Sequence, residues 1–158
     1  MPGLRQIGAA TVKLRDVPGR AATGGYILHS GLEKWHGSEE QAKGVHALAS
    51  GAYPVLAKVP PPTFLKVLAA AEIGTGTALL VPFVSNKLAG AALTAFAGSL
   101  VGMYLRTPAL RKPGSVWPSQ SGIGVSKDIW MLGIGLGLLV DGPGSRGAVA
   151  DGGDAGAA

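Results

Sequence analysis

The segment Lys66–Val84, KVLAAAEIGTGTALLVPFV, is apolar or small at nearly every position, yet it carries one glutamate, Glu72, near its middle. In water that residue is ordinary. In a bilayer an ionised carboxylate costs at least about 2.5–3.5 kcal/mol, so it needs a partner, a proton or a place inside the protein. The surrounding solvent therefore decides the fold. Of 158 residues, 47% are apolar, only 15% are charged, and none is cysteine. An average soluble chain is about 25% charged. A soluble domain of this size would lack polar cover for its apolar runs, so composition points to lipid.

Three further runs share this character: Arg20–Trp35 (RAATGGYILHSGLEKW), Leu88–Leu105, which has no charge at all, and Val125–Val140. A helix needs about 20 residues to cross a hydrocarbon layer of about 30 Å. Leu88–Leu105 approaches this without help, and Lys66–Val84 does so if Glu72 is accommodated. The other two span if Arg20, Lys34 and Lys127 snorkel to the headgroups, where Trp35 and Trp130 also sit well. The expected fold is all-α, a four-helix transmembrane bundle. Between its first and second helices a short interfacial helix is expected over Ser38–Ser50, where Ser38 and Gln41 have capping-box spacing. Pro60–Pro62 separates that helix from the second span, and Ser85–Lys87 leaves room only for a tight antiparallel hairpin. The expected division is a flexible polar arm over 1–19, a transmembrane domain over 20–140, and a disordered Gly/Ala-rich tail over 141–158. An A-x-A site at Ala47–Ala49 lies too far from the first apolar run, with Glu33, Lys34, Glu39 and Glu40 between, so no cleaved signal is expected.

The net charge of +5 is not gathered into a patch. Lys and Arg punctuate the apolar runs, which suits bilayer-edge anchoring and argues against a nucleic-acid partner. Arg20, Arg106, Lys127 and Asp128 are the expected edge charges. The expected location is the cytoplasmic membrane, crossed several times, with both termini on one side. Lys13, Arg15 and Arg20 favour a cytoplasmic N-terminus, while Arg106, Arg111, Lys112 and Lys127 pull the other way.

Small residues recur every four positions: Gly90, Thr94, Gly98 and Gly102; Gly133 and Gly137; Ala70, Gly74 and Ala78. Lipid gives helices no hydrophobic reason to pair, so close backbone approach at small residues supplies the contact. GIGLG at Gly133–Gly137 lies inside an apolar run and is no nucleotide loop. Glu72 shares its face with Ala69, Thr75 and Gly76, as expected at a helix contact. Its candidate partners come from the first helix: Tyr26, His29 and Glu33 at i, i+3 and i+7, with Lys34 beside them. This polar cluster reads either as a clamp fixing the bundle or as a proton- or quinone-linked site worked by Glu72 and His29. With no Cys, and His29 the only histidine inside a span, the chain alone builds neither a bis-His haem site nor an iron–sulfur site. His36 and His46 have no metal-ligand spacing, so no metal is expected.

GLEKW (Gly31–Trp35), AAAEIGTGTALL (Ala69–Leu80) and SKDIWMLGIGLGLL (Ser126–Leu139) resemble, in order, the first, second and last helices of the DoxX/DoxD-like family of small four-helix membrane proteins. The resemblance covers roughly Arg20–Val140. It implies an accessory or scaffolding subunit of a membrane redox complex linked to quinone, as in thiosulfate:quinone oxidoreductase. The implied partners are the lipid bilayer and other membrane proteins or further copies of the chain, and quinone is the possible cofactor. Two alternatives stay open. One is a catalytic subunit that binds quinone or a small sulfur compound, using Glu72 and His29 for protons and Lys34, Arg106 or Lys127 for charge. The other is a small transporter or lipid-handling protein, which the lack of an internal repeat disfavours.

Overall fold

Proline and serine set most of the element boundaries. The computed structural model describes residues 12–140; the expected tail, and the expected arm as far as residue 11, lie outside the described residues. Pro18 stands in the first turn of α1 (Val17–Trp35), and Pro61 and Pro62 open α3 (Pro61–Leu80). There a fixed φ and a missing N–H match what a helix start requires. Ser38 caps α2 (Glu39–Ala52), its hydroxyl accepting from the Gln41 amide at 3.2 Å. Ser85 caps α4 (Asn86–Arg106) in the same way, accepting from the Leu88 amide at 3.3 Å. Pro82 ends α3: the residue before a proline is pushed out of the helical region, and Val81 sits at φ −76°, ψ 117°. After α4 the chain forms α5 (Ile123–Ser126) and α6 (Asp128–Val140), with Lys127 between them. Short 3-10 turns supply the other regular structure. Among the described residues there is no strand, only an isolated bridge between Arg111 and Pro118.

The chain is thus all-helical, and three of its segments are long and apolar enough to cross a membrane: Pro61–Leu80, Asn86–Arg106 and Gln120–Val140. This is the pattern of a membrane protein. The expected first span is helical throughout but falls outside that set, because Arg20, Glu33 and Lys34 interrupt it. The expected arm is also shorter than residues 1–19. The chain turns into a 3-10 helix at Leu14–Asp16 and enters α1 at Val17.

Two antiparallel helix pairs organise the packing, α1 on α3 and α4 on α6, with α3 and α4 joined by the turn at Val81–Ser85. The start of α1 and the end of α6 lie together: Arg15, Asp16 and Gly19 share a cleft with Leu138 and Val140. At the opposite end α2 packs on α3 and α4, burying Ala49 and Ala52 against Met103.

Both pairs close at glycines. A Cβ on Gly76 would stand 2.7 Å from the Leu28 amide nitrogen and 2.8 Å from the Gly24 carbonyl oxygen. One on Gly135 would stand 2.8 Å from the Thr94 nitrogen, and one on Gly90 2.8 Å from the Gly135 carbonyl oxygen. Several glycines expected at contacts are not there. Gly74, Gly133 and Gly137 have nothing within 4 Å, and Gly98 meets only Leu132 at 3.9 Å. A four-residue repeat of small residues exists on several faces of a Gly/Ala-rich helix, and spacing alone does not say which one meets a neighbour. The larger side chains decide: the buried stripe of α3 runs through Leu65, Ala69, Glu72, Thr75, Gly76 and Leu79.

Gly76→Leu should therefore force backbone against backbone and destabilise the fold by about 1–3 kcal/mol or more, while Gly137→Leu, on an open face, should be tolerated. Thermal denaturation in detergent, followed by loss of the monodisperse elution peak, separates the two variants; equal midpoints would refute the contact.

Candidate functional site

Two polar assemblies interrupt the apolar packing, both built between α1 and α3. The first is centred on Arg20, expected from sequence to reach a headgroup. Instead it is buried, at 2% exposure. A guanidinium carries five N–H donors, and here they meet five acceptors. Nε donates to the Leu79 carbonyl at 2.8 Å, Nη2 to Ala78 at 2.9 Å and Val81 at 3.0 Å, and Nη1 to Val84 at 3.1 Å and the Asn86 Oδ1 at 2.7 Å. The local sequence creates this demand. The last carbonyls of a helix lack intrahelical partners, and Pro82 has no N–H to offer Ala78. A cation at a helix C-terminus also meets the negative end of its dipole. Asn86 passes the contact on, its Nδ2 donating to Asp16 Oδ2 at 2.7 Å. Arg20 thus ties the start of α1 to the end of α3 and the start of α4.

The second assembly holds Glu72. Gly31 lets α1 approach α3 so closely that a Cβ there would lie 2.9 Å from the Glu72 Cβ. Three residues on, Lys34 reaches across: its Nζ donates to Glu72 Oε2 at 3.0 Å and to Ser30 Oγ at 2.6 Å. The Glu72 side chain is 7% exposed and that of Lys34 19%. The pair borders a cavity of about 220 Å³ among α1, α3, α4 and α6, whose wall also includes Asp128, Phe96 and Met131. Lys34 thus donates within α1 and to α3 while lining this cavity.

The structure separates the expected cluster. Lys34 joins Glu72, but His29 and Glu33 face outward, 3.6 Å from each other, with side chains 72% and 68% exposed. Tyr26 stands at the cavity rim and is itself largely exposed. The inner face of α1 is Arg20, Thr23, Gly24, Ile27 and Gly31. The stripe of Tyr26, His29 and Glu33 has equally good helical spacing, but His29 and Glu33 lie on the outer side and Tyr26 at its border with the cavity. Gly24, Ile27 and Gly31, apolar or small at helical spacing, are the sequence signal that marks the inner face. Ser30, four residues before Lys34, follows from it. Asp128, expected at the bilayer edge, lines the cavity instead, because α6 begins there and packs lengthwise on α4. Arg106 lies over the Tyr53 ring at 4.7 Å, and Tyr53 in turn donates to the Ser99 carbonyl at 2.8 Å. Lys127 is exposed. His46, on α2, donates from Nε2 to the Leu56 carbonyl 2.9 Å away, and its ring meets Phe64 edge-on. Among the described residues no group of His, Cys, Asp and Glu could hold a metal ion.

Two outcomes follow. Arg20→Lys keeps the charge but offers at most three donors, leaving carbonyls at the end of α3 without partners; a loss of about 1–3 kcal/mol in unfolding free energy is expected, and an unchanged midpoint would refute the clamp. Glu72→Leu strands the Lys34 charge and should cost about 3–5 kcal/mol, whereas Glu72→Leu with Lys34→Leu removes both charges and should recover most of it. A double-mutant cycle on thermal unfolding measures the coupling, and additive losses would show that the pair is not coupled.

Compared with known proteins, the chain matches no family model, no curated protein and no solved structure.

Proposed function

We propose that this chain is a four-helix integral membrane protein that serves as a non-catalytic accessory or scaffolding subunit of a larger membrane assembly. The class of assembly implied by the DoxX-like resemblance is a quinone-linked redox complex. The fourth spanning helix is α1. Its contacts with α3 run from Arg20, against Leu79, to Trp35, whose carbonyl accepts from Lys66 Nζ, a distance of about 20 Å along α3 at about 1.5 Å per residue. A helix packed over that length shares the depth of its neighbour, so α1 enters the bilayer with α3 despite its charges.

The observation that carries the reading is the outward face of α1. His29 and Glu33 stand exposed on the outward side of α1, and Tyr26 is exposed at the rim of the cavity. Polar groups on a lipid-facing helix surface are expensive, and membrane proteins turn them toward other protein. A subunit that presents this stripe has a neighbour to cover it. The 220 Å³ cavity favours a non-catalytic role, since ligand sites usually enclose about 300–1,000 Å³, and the Lys34 and Glu72 groups beside it are already paired with each other.

One observation favours the alternative of a catalytic quinone- or sulfur-compound-binding subunit: Lys34, Glu72 and Asp128 border one cavity, an arrangement able to orient a small polar ligand and exchange a proton with it. Photo-crosslinking separates the readings. With a benzophenone side chain at Tyr26, the expected product in native membranes is an adduct with a different membrane-protein subunit. His29→Leu combined with Glu33→Leu should weaken co-purification of that subunit while leaving thermal stability intact. Adducts with lipid alone, or with a second copy of the chain alone, would overturn the accessory reading. Stoichiometric quinone in the purified protein, lost in Glu72→Gln, would favour the alternative.

A further inference from the structure

At the Trp35 end of the molecule, the connection from α4 to α5 is folded rather than loose. The Tyr104 hydroxyl donates to the Val116 carbonyl at 2.6 Å, and the Lys112 amide donates to Trp117 at 2.9 Å. The Ser119 amide and hydroxyl donate to Leu110 and Ala109 at 3.0 and 2.8 Å. Gly122 rests on the Leu110 carbonyl so closely that no Cβ fits between them. These bonds do not serve to bury the tip of the loop. They hold Val116 and Trp117 outward, 66% and 71% exposed, facing Trp130 of α6 at 69%.

Between them runs a groove of about 420 Å³ with almost wholly apolar walls, among them Val101, Leu105 and Ile129, and Lys127 on its margin. The exposed Lys127 side chain makes no hydrogen bond or ion pair among the described residues. The charge around the groove has one sign. From Arg106 through Lys127 the chain contains Arg106, Arg111, Lys112 and Lys127 and no Asp or Glu, and the next acid, Asp128, borders the internal cavity instead. Trp117 lies in the connection that follows α4, and Trp130, two residues into α6, shares the groove with Val101 and Leu105 near the end of α4; tryptophan at such a helix end favours the headgroup level. An apolar slot with a basic margin at that depth complements a molecule with a hydrocarbon body and an anionic head.

We propose that this groove is a binding site for an anionic phospholipid, with an acyl chain lying between Trp117 and Trp130 and the phosphate meeting the Lys127 ammonium. The bonds that pin the loop make the slot ready-formed, so binding carries little ordering cost. The proposal rests on the bilayer placement of α4 and α6 and is independent of any partner subunit.

Tryptophan quenching tests it. The protein is reconstituted in mixed phosphatidylcholine and phosphatidylglycerol vesicles of one composition, with bromine on the chains of one lipid or the other. Trp117 is observed alone after Trp35→Phe and Trp130→Phe, and Trp130 alone after Trp35→Phe and Trp117→Phe. Brominated phosphatidylglycerol should quench both beyond its mole fraction and beyond brominated phosphatidylcholine. Lys127→Gln should lower that preference about fivefold, the worth of one basic residue near an anionic surface, and Lys127→Arg should keep it. A reference tryptophan at Phe83→Trp, at the other end of the molecule, with the three native tryptophans replaced by Phe, should show no such preference. Quenching that follows mole fraction at Trp117 and Trp130, quenching by neither lipid there, or a preference unmoved by Lys127→Gln would each overturn the site. A reference tryptophan quenched by neither lipid would instead overturn the bilayer placement.

Discussion

The architecture hangs on one side chain that satisfies a helix end. Pro82 stops α3 and removes the backbone donor that Ala78 would have had; the carbonyls of Ala78, Leu79, Val81 and Val84 all accept from Arg20, Val81 accepting from the Val84 amide as well. In an apolar surrounding each such carbonyl costs several kcal/mol if left alone. Arg20 meets all four and Asn86 besides, so the same bonds that finish α3 also fix where α1 begins and where α4 starts. Replacing the arginine with an apolar residue would not merely lose a contact; it would return unsatisfied backbone to a medium without water.

The second polar contact sits farther along the same helix pair and obeys a different logic. A buried ion pair is not in itself stabilising, because desolvation of both groups offsets much of their attraction. Its weight lies in registry. Lys34 can reach Glu72 only when Gly31 lies against α3 and Ser30 points beside it. Arg20 and Lys34 therefore fix α1 on α3 at two heights, and the glycines at Gly24, Gly31 and Gly76 permit the approach that both require. The α4–α6 pair has no comparable polar lock. It closes at Gly90 and Gly135 by backbone proximity and by packing of Leu93 with Leu138 and Ile134, leaving the cavity beside Asp128 between the two pairs.

The surface completes this division. Along α3, α4 and α6 the outward side chains are mainly apolar, with Lys66, Thr77, Lys87, Ser99 and Arg106 among the exposed polar ones, while α1 presents Tyr26, His29 and Glu33. At the Trp35 end the basic α4–α5 connection holds Trp117 outward, and α2 covers the ends of α3 and α4.

The sequence by itself determined the solvent and the elements. Low charge, uninterrupted apolar runs, prolines at helix starts and serines at caps act locally, through hydration and through backbone dihedrals, so they are legible without knowledge of neighbours. The burial of Glu72 beside Ala69, Thr75 and Gly76 followed from the same reasoning, as did Lys34 within its reach. Only the tertiary structure decided which face of each helix turns inward. Small residues at four-residue spacing recur on several sides of these helices, and Gly74, Gly133 and Gly137 match the pattern as well as Gly76 and Gly135 do. Likewise His29 and Glu33 fit a polar stripe that points away from Glu72, and Arg20 resembles any charge at a helix end until the broken end of α3 is placed beside it. Rotation about a helix axis costs nothing locally. It is fixed by the sum of contacts with other helices, and no single segment contains that information.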